Sequence, residues 1–144
     1  MKIALVAGGH LPIPPQGWGG VEHLIWNFHN QLTERGDEVV LVNTTDLKDV
    51  VTTINNGNFD AVHLHYDQYS DIMSHINCNK KLITSHYPNL ENPEPQYLFL
   101  YDLLKNSGAH IVCLSDRIEK EFVNRGCDST NVSILPCGID IDLY

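Results

Sequence analysis

The stretch Gly17-Trp18-Gly19-Gly20-Val21-Glu22 decides the fold, because of what stands on either side of it. Before it comes Lys2-Ile3-Ala4-Leu5-Val6-Ala7, a short apolar run of the kind that forms a strand buried on both faces of a parallel sheet. After it, Val21, Leu24, Ile25, Phe28 and Leu32 recur at helical spacing and make one apolar stripe to lay against that sheet. Adjacent glycines at a helix start permit close backbone approach, and the first N–H groups of the helix point into the loop with the positive end of the dipole behind them. Such a place holds an anion well, above all a phosphate. The structural alternative is that Gly17, Gly19 and Gly20 supply positive φ in a long turn stiffened by Pro12, Pro14 and Pro15. The dinucleotide fingerprint is absent, since no Gly-x-Gly-x-x-Gly follows the strand.

Onward from this stretch, strand and helix alternate. Glu34-Arg35-Gly36 predicts a helix stop and Glu38-Val39-Val40-Leu41-Val42-Asn43 a second strand. Asp46 caps a short helix through Ile54, ended by Asn55-Asn56-Gly57, and Asp60-Ala61-Val62-His63-Leu64-His65 predicts strand three. A weak helix over 68–76 leads to Lys81-Leu82-Ile83-Thr84-Ser85-His86, strand four. Pro88, Pro93 and Pro95 mark a loop, and 94–105 carries helical spacing through Tyr97, Leu98, Tyr101 and Leu104, which points to core packing. His110-Ile111-Val112-Cys113-Leu114 predicts strand five, Ser115 or Asp116 caps a helix over 117–124, and Val132-Ser133-Ile134-Leu135 is a last strand. This alternation implies right-handed crossovers and an α/β fold, a doubly wound, Rossmann-like parallel sheet with helices on both faces.

The 144 residues make one domain, 1–144, with 42% hydrophobic and 19% charged residues, enough to bury a real core. A net charge of -9 disfavours nucleic acid and anionic membranes, both of which want a basic face, so the expected partner is a small molecule. The amino-terminal run stops at Gly8-Gly9, too short for a signal-peptide core or a membrane-spanning helix, and a cytoplasmic location is expected. Cys78, Cys113, Cys127 and Cys137 contain no Cys-x-x-Cys pair, which excludes a zinc knuckle and leaves reduced, mostly buried thiols. Asn43-Thr44-Thr45 and Asn131-Val132-Ser133 match the glycosylation sequon but carry no weight in a chain without a secretory signal.

In open sheets of this class, ligands sit beyond the carboxyl ends of the strands. That rule gathers the loop over residues 8–20, His65-Tyr66-Asp67, His86-Tyr87-Pro88 and Ser115-Asp116 on one rim, and sends His110 to the opposite edge. His63 and His65 share a face of their strand, so a metal pair is conceivable, but no third ligand at suitable spacing accompanies them. His86 reads equally as a satisfied rim histidine and as a group acting on a substrate.

Pro14-Pro15-Gln16-Gly17-Trp18-Gly19-Gly20-Val21-Glu22, the helix end Leu32-Thr33-Glu34-Arg35-Gly36-Asp37-Glu38-Val39, Thr84-Ser85-His86, and Leu135-Pro136-Cys137-Gly138-Ile139-Asp140 together resemble the amino-terminal half of a family 4 glycosyltransferase with the GT-B architecture. The order and spacing hold along nearly the whole chain. Such enzymes are similar to two facing Rossmann-like domains, the first chiefly binding the acceptor and the second the nucleotide-sugar, with retaining transfer in the cleft and no metal. The resemblance implies that Gly19 and Gly20 bring N–H groups to the donor diphosphate and that His86 is the active-site histidine that helps place the transferred sugar. It implies acceptor contacts from Trp18, Glu22, His65 and Tyr66. No cofactor is expected, the nucleotide-sugar being a substrate.

Two departures stand out. The family's Gly-His-Glu-Val is Gly36-Asp37-Glu38-Val39 here, and its Asn-Gly-Ile-Asp is Cys137-Gly138-Ile139-Asp140, at an interdomain crossover expected over 135–144. The second domain, with its donor-binding carboxylates and basic groups, is expected beyond Tyr144, so the chain is expected to be a piece of a longer enzyme and inactive alone. The rivals are a stand-alone carbohydrate- or phosphate-binding module, which a natural stop after Tyr144 favours, and half of a GT-B sugar-nucleotide epimerase, which the Gly-Trp-Gly-Gly-Val-Glu loop disfavours.

Overall fold

The computed structural model of the chain describes residues 1–86 and 98–138. The readings at Tyr87, Pro88, Pro93, Glu94, Pro95, Tyr97, Ile139 and Asp140 lie outside the described residues. Elements follow in the order β1 (Lys2–Ala7), α1 (Gly20–Glu34), β2 (Glu38–Asn43), α2 (Leu47–Gly57), β3 (Ala61–Leu64), a 3-10 helix (Asp67–His75), β4 (Lys81–Thr84), α3 (Phe99–Asn106), β5 (His110–Cys113), α4 (Asp116–Asn124), a short 3-10 turn (Ser129–Asn131) and β6 (Val132–Ile134). The six strands form one sheet in the order β2-β1-β3-β4-β5-β6, and every pairing is parallel. The expected doubly wound α/β fold is the one observed.

Strand periodicity divides the core in two. Ile3, Leu5 and Ala7 of β1 face α1, packing with Ile25 and Ala61 while Val21, Phe28, Leu32, Val39 and Leu41 close around them. Ala4 and Val6 face the other way, into a larger cluster fed by Val50 and Ile54 of α2, Ile72 and Met73 of the 3-10 helix, Leu104 of α3 and Phe122 of α4. Tyr101 belongs to this second cluster, its ring 5.1 Å from that of Phe122, so the core reading of that tyrosine holds.

The helix signals in the sequence act as expected at several ends. Asp46 accepts from the N–H groups of Lys48 and Asp49 at 2.9 and 3.2 Å and starts α2. After α1, Gly36 at φ 88° donates to Thr33 O and Asp37 N donates to Leu32 O, a Schellman stop that needs a residue tolerant of the left-handed region. Other boundaries move. Asn55, Asn56 and Gly57 lie inside α2, and the stop is Asn58, left-handed at φ 52°. The weak helix expected over 68–76 is a 3-10 helix over Asp67–His75, where Ser70 and Ser74 donate their hydroxyls to the carbonyls of Asp67 and Asp71, three residues back, in competition with α-helical bonding.

Ile25 has no solvent exposure and is the centre of the α1 contact with the sheet. Ile25→Ala is expected to lower the unfolding free energy by about 2–5 kcal/mol, and Asp46→Ala, which removes a cap at an exposed helix end, by about 0.5–2 kcal/mol. Urea denaturation followed by circular dichroism measures both.

Candidate functional site

The strand order makes the chain leave β1 toward β2 and return on the other side to β3, so the loops after β1 and β3 diverge and open a crevice at the carboxyl edge of the sheet. The loop after β1 forms one wall. Asn43, at the end of β2, pins it: its Oδ1 accepts from Gly9 N at 2.9 Å and its Nδ2 donates to Leu11 O at 2.8 Å. Tyr69 Oη donates to Gly8 O at 3.1 Å, and the Tyr66 ring lies between those of Tyr69 and His10, at 4.6 and 5.4 Å. Asn43 and Tyr69 were not among the expected site residues, and His10 was expected only as part of the loop over residues 8–20. Only the register that sets Asn43 beside Ala7 could have pointed to the asparagine.

The loop delivers Gly19, at φ 137°, as the residue that starts α1, and no side chain caps the helix there. Glycine is needed at that φ, and a Cβ would also stand 2.8 Å from Glu22 Oε2. The Glu22 carboxylate therefore lies beside Gly19, a negative charge where the helix dipole favours one. Gly20 differs. A Cβ built on it meets nothing within 4 Å, so the backbone of the first helical residue is open to a ligand. Trp18 is 87% exposed beside it. His23 Nε2 is 2.8 Å from Gly17 O and holds the approach.

The other wall comes from β3 and β4. Register sets His63 opposite Leu82, which puts His63, His65, Thr84 and His86 on the face that α1 covers. The rings of His63 and His65 are 4.0 Å apart, and Phe28 of α1 packs on both at 5.9 and 5.7 Å. His63 Nε2 is 2.7 Å from Thr84 Oγ1, and His65 Nδ1 is 3.1 Å from His86 Nε2. His65 is 1% exposed. It touches His86 rather than solvent, whereas His86 is half-buried at the rim.

Burial dominates the electrostatics. Desolvation lowers the pKa of His63 from 6.5 to about 4, with the nearby His86 adding to the effect, and lowers that of His86 to about 4. It pushes His65 well below 6.5, with His63 and His86 both reinforcing it. All three imidazoles are neutral at pH 7, each able to donate from one nitrogen and accept at the other. Among the described residues no three His, Cys, Asp or Glu side chains converge as a metal site. A cavity of about 660 Å³ opens at the opposite edge, where His110 lies as expected, but Lys81 and Lys105 there spend their ammonium groups on the carbonyls of Met73 and Arg125.

With this geometry in place, comparison with known structures is decisive for the fold. The fold is shared with glycosyltransferases. AviGT4, a glycosyltransferase involved in avilamycin A biosynthesis, superposes with a TM-score of 0.65 at 18% identity over 99% of this chain and 44% of its own. HepE (Alr3699) of Anabaena, solved with UDP and glucose, superposes with a TM-score of 0.64 at 15% identity over 100% of this chain and 46% of its own. The chain thus spans less than half the length of these enzymes. No protein-family model and no curated protein sequence matches it. Among the described residues no helix is long and apolar enough to cross a membrane.

The neutral histidines give stability a pH dependence of known sign. The unfolded chain protonates them near pH 6.5 while His63 and His86 in the folded chain wait until about 4, so the unfolded state binds more protons in that window. Stability is expected to fall as pH drops from 6.5 to 4, by up to about 1.4 kcal/mol per pH unit for each such histidine. Urea titrations across that range measure it, and His86→Gln is expected to flatten the slope.

Proposed function

We propose that this chain is the amino-terminal, acceptor-side half of a family 4 glycosyltransferase, which transfers a sugar with retention from a nucleotide-sugar to a carbohydrate or other hydroxyl acceptor. The observation that carries this reading is the whole-chain likeness in fold to two glycosyltransferases, one of them solved with UDP and glucose. A reducing cytoplasm suits its four free thiols, of which Cys113 and Cys127 are buried and Cys137 is exposed.

Glycosyl transfer builds negative charge on the departing diphosphate and positive charge at the anomeric carbon. Positioned dipoles and orientation lower such a barrier, and this chain is equipped for both. In our reading the N–H groups of buried Gly19 and exposed Gly20 receive the diphosphate, with the α1 dipole behind them. His86 hydrogen-bonds the transferred sugar, and Trp18, Glu22 and Tyr66 line the acceptor side. The nucleotide itself is held by a second domain, and neither a metal nor another cofactor takes part. A stand-alone module that binds sugar or phosphate without turnover is the second reading, favoured by the open space beside Gly20 at the start of α1.

The test is release of nucleoside diphosphate from a panel of nucleotide-sugars by the full-length protein, with and without sugar acceptors. Acceptor-dependent release supports transfer, and binding without release leaves the module. Gly20→Asp is expected to fold, because its Cβ has room and a carboxylate at a helix start suits the dipole, yet to weaken nucleotide-sugar binding about tenfold or more through repulsion of the diphosphate. Unchanged binding would remove the diphosphate from this loop. His86→Ala is expected to lower kcat far more than it lowers the unfolding free energy; equal losses would make His86 a structural residue.

A further inference from the structure

His65 stands behind His86 with an unusual set of partners. Its backbone N–H donates to Val6 O at 2.9 Å, the His63 ring lies 4.0 Å away on one side, and Phe28 packs on it from α1. The ring is 1% exposed and has nowhere to turn. Its Nδ1 is paired with His86 Nε2 at 3.1 Å, while its Nε2 is buried without a partner among the described residues.

A neutral imidazole carries one proton, and the two placements are not equivalent here. A proton on His65 Nε2 would leave a buried N–H with no acceptor, the rarer and costlier kind of orphan. A proton on Nδ1 is used in the bond to His86 and leaves only a lone pair facing the apolar packing. His86 Nε2 must then accept, which obliges His86 to hold its own proton on Nδ1. That is also the one nitrogen His86 has left for anything outside the pair.

We propose that His65 is a positioning residue: its Nδ1–H donates to His86 Nε2, fixes the tautomer and the plane of that ring, and so makes His86 Nδ1–H the donor presented to an oxygen of a bound sugar. The part of this that concerns a sugar rests on the role given to His86 above. The tautomers stand on the geometry alone. His63 completes the arrangement as a buttress, held by Thr84 Oγ1 at 2.7 Å with its ring tilted against that of His65 at 4.0 Å. The low proton affinity that burial gives all three rings keeps the pair in its neutral, directional form through the ordinary pH range.

Long-range proton–nitrogen-15 spectra of the uniformly labelled chain at pH 7 identify the protonated nitrogen of each histidine, with assignments from His65→Asn and His86→Gln. Both His65 and His86 are expected with the proton on Nδ1. A proton on Nε2 of either one overturns the proposal, and this arm needs no variant to be active. In His65→Asn the side-chain amide reaches the position of Nδ1 and keeps a donor there, so His86 is expected to retain its Nδ1 proton. In His65→Leu the donor is lost, and His86 is expected to shift toward the Nε2 form that free imidazole prefers. A merely structural His65 would lower the thermal midpoint in both variants and leave the His86 tautomer unmoved.

In a transfer assay of the full-length protein, His65→Leu is expected to lower kcat about tenfold with KM for the donor little changed, and His65→Asn to recover most of it. The two readings fail separately. The expected tautomers without any transfer would sink the transferase and spare the pair; transfer by a protein whose His86 carries its proton on Nε2 would sink the pair alone.

Discussion

Strand β1 is hydrogen-bonded along both of its edges, by β2 over six residues and by β3 over four, and its residues Ala4, Leu5 and Val6 have no exposure on either face. Every other part takes its position from that strand. The loop that starts α1 leaves from its carboxyl end, and Asn43 and His65, its neighbours in register and along the edge, fasten the two sides of the crevice to it. A residue polar enough to hydrate either face would cost the sheet its centre, since no water reaches a group buried there.

Around this strand the site takes an uncommon form. Three imidazoles occupy space that apolar side chains would normally fill, and the molecule accommodates them by keeping them uncharged and by pairing them. The three are not interchangeable. His63 is tied to a hydroxyl, His65 to another ring, and His86 alone reaches the rim. Of the three, His65 and His86 share a hydrogen bond that runs from the core to the edge, so the role of one nitrogen constrains that of the other.

Much of this was legible in the chain. The central parallel strands are largely buried and read as mostly apolar runs, the edge strands β2 and β6 carry short apolar runs as well, and Asp46 and Gly36 mark helix ends by mechanisms that depend on neighbours in sequence only. The rule that ligands gather beyond the carboxyl strand ends placed His65, Tyr66 and His86 together. What escaped needed information a period cannot hold. Alternation tells that His63 and His65 share a face, but not that Phe28 lies over both. The bond between His63 and Thr84 requires the register of β3 on β4. The tie from Asn43 to Gly9 and Leu11 joins segments more than thirty residues apart, and nothing local announces it.

The order of the strands bears on how the molecule is made. From β4 onward each strand pairs with the one synthesised just before it, so the sheet grows in one direction and each new unit of strand and helix docks on an edge already present. Such local addition asks for little loop closure and suits a chain that folds as it leaves the ribosome. The histidines, with the β1 loop and α1 that face them, are all encoded by residue 86. The future crevice can therefore assemble while β5 and β6 are still to come, and its architecture is the oldest part of the nascent domain.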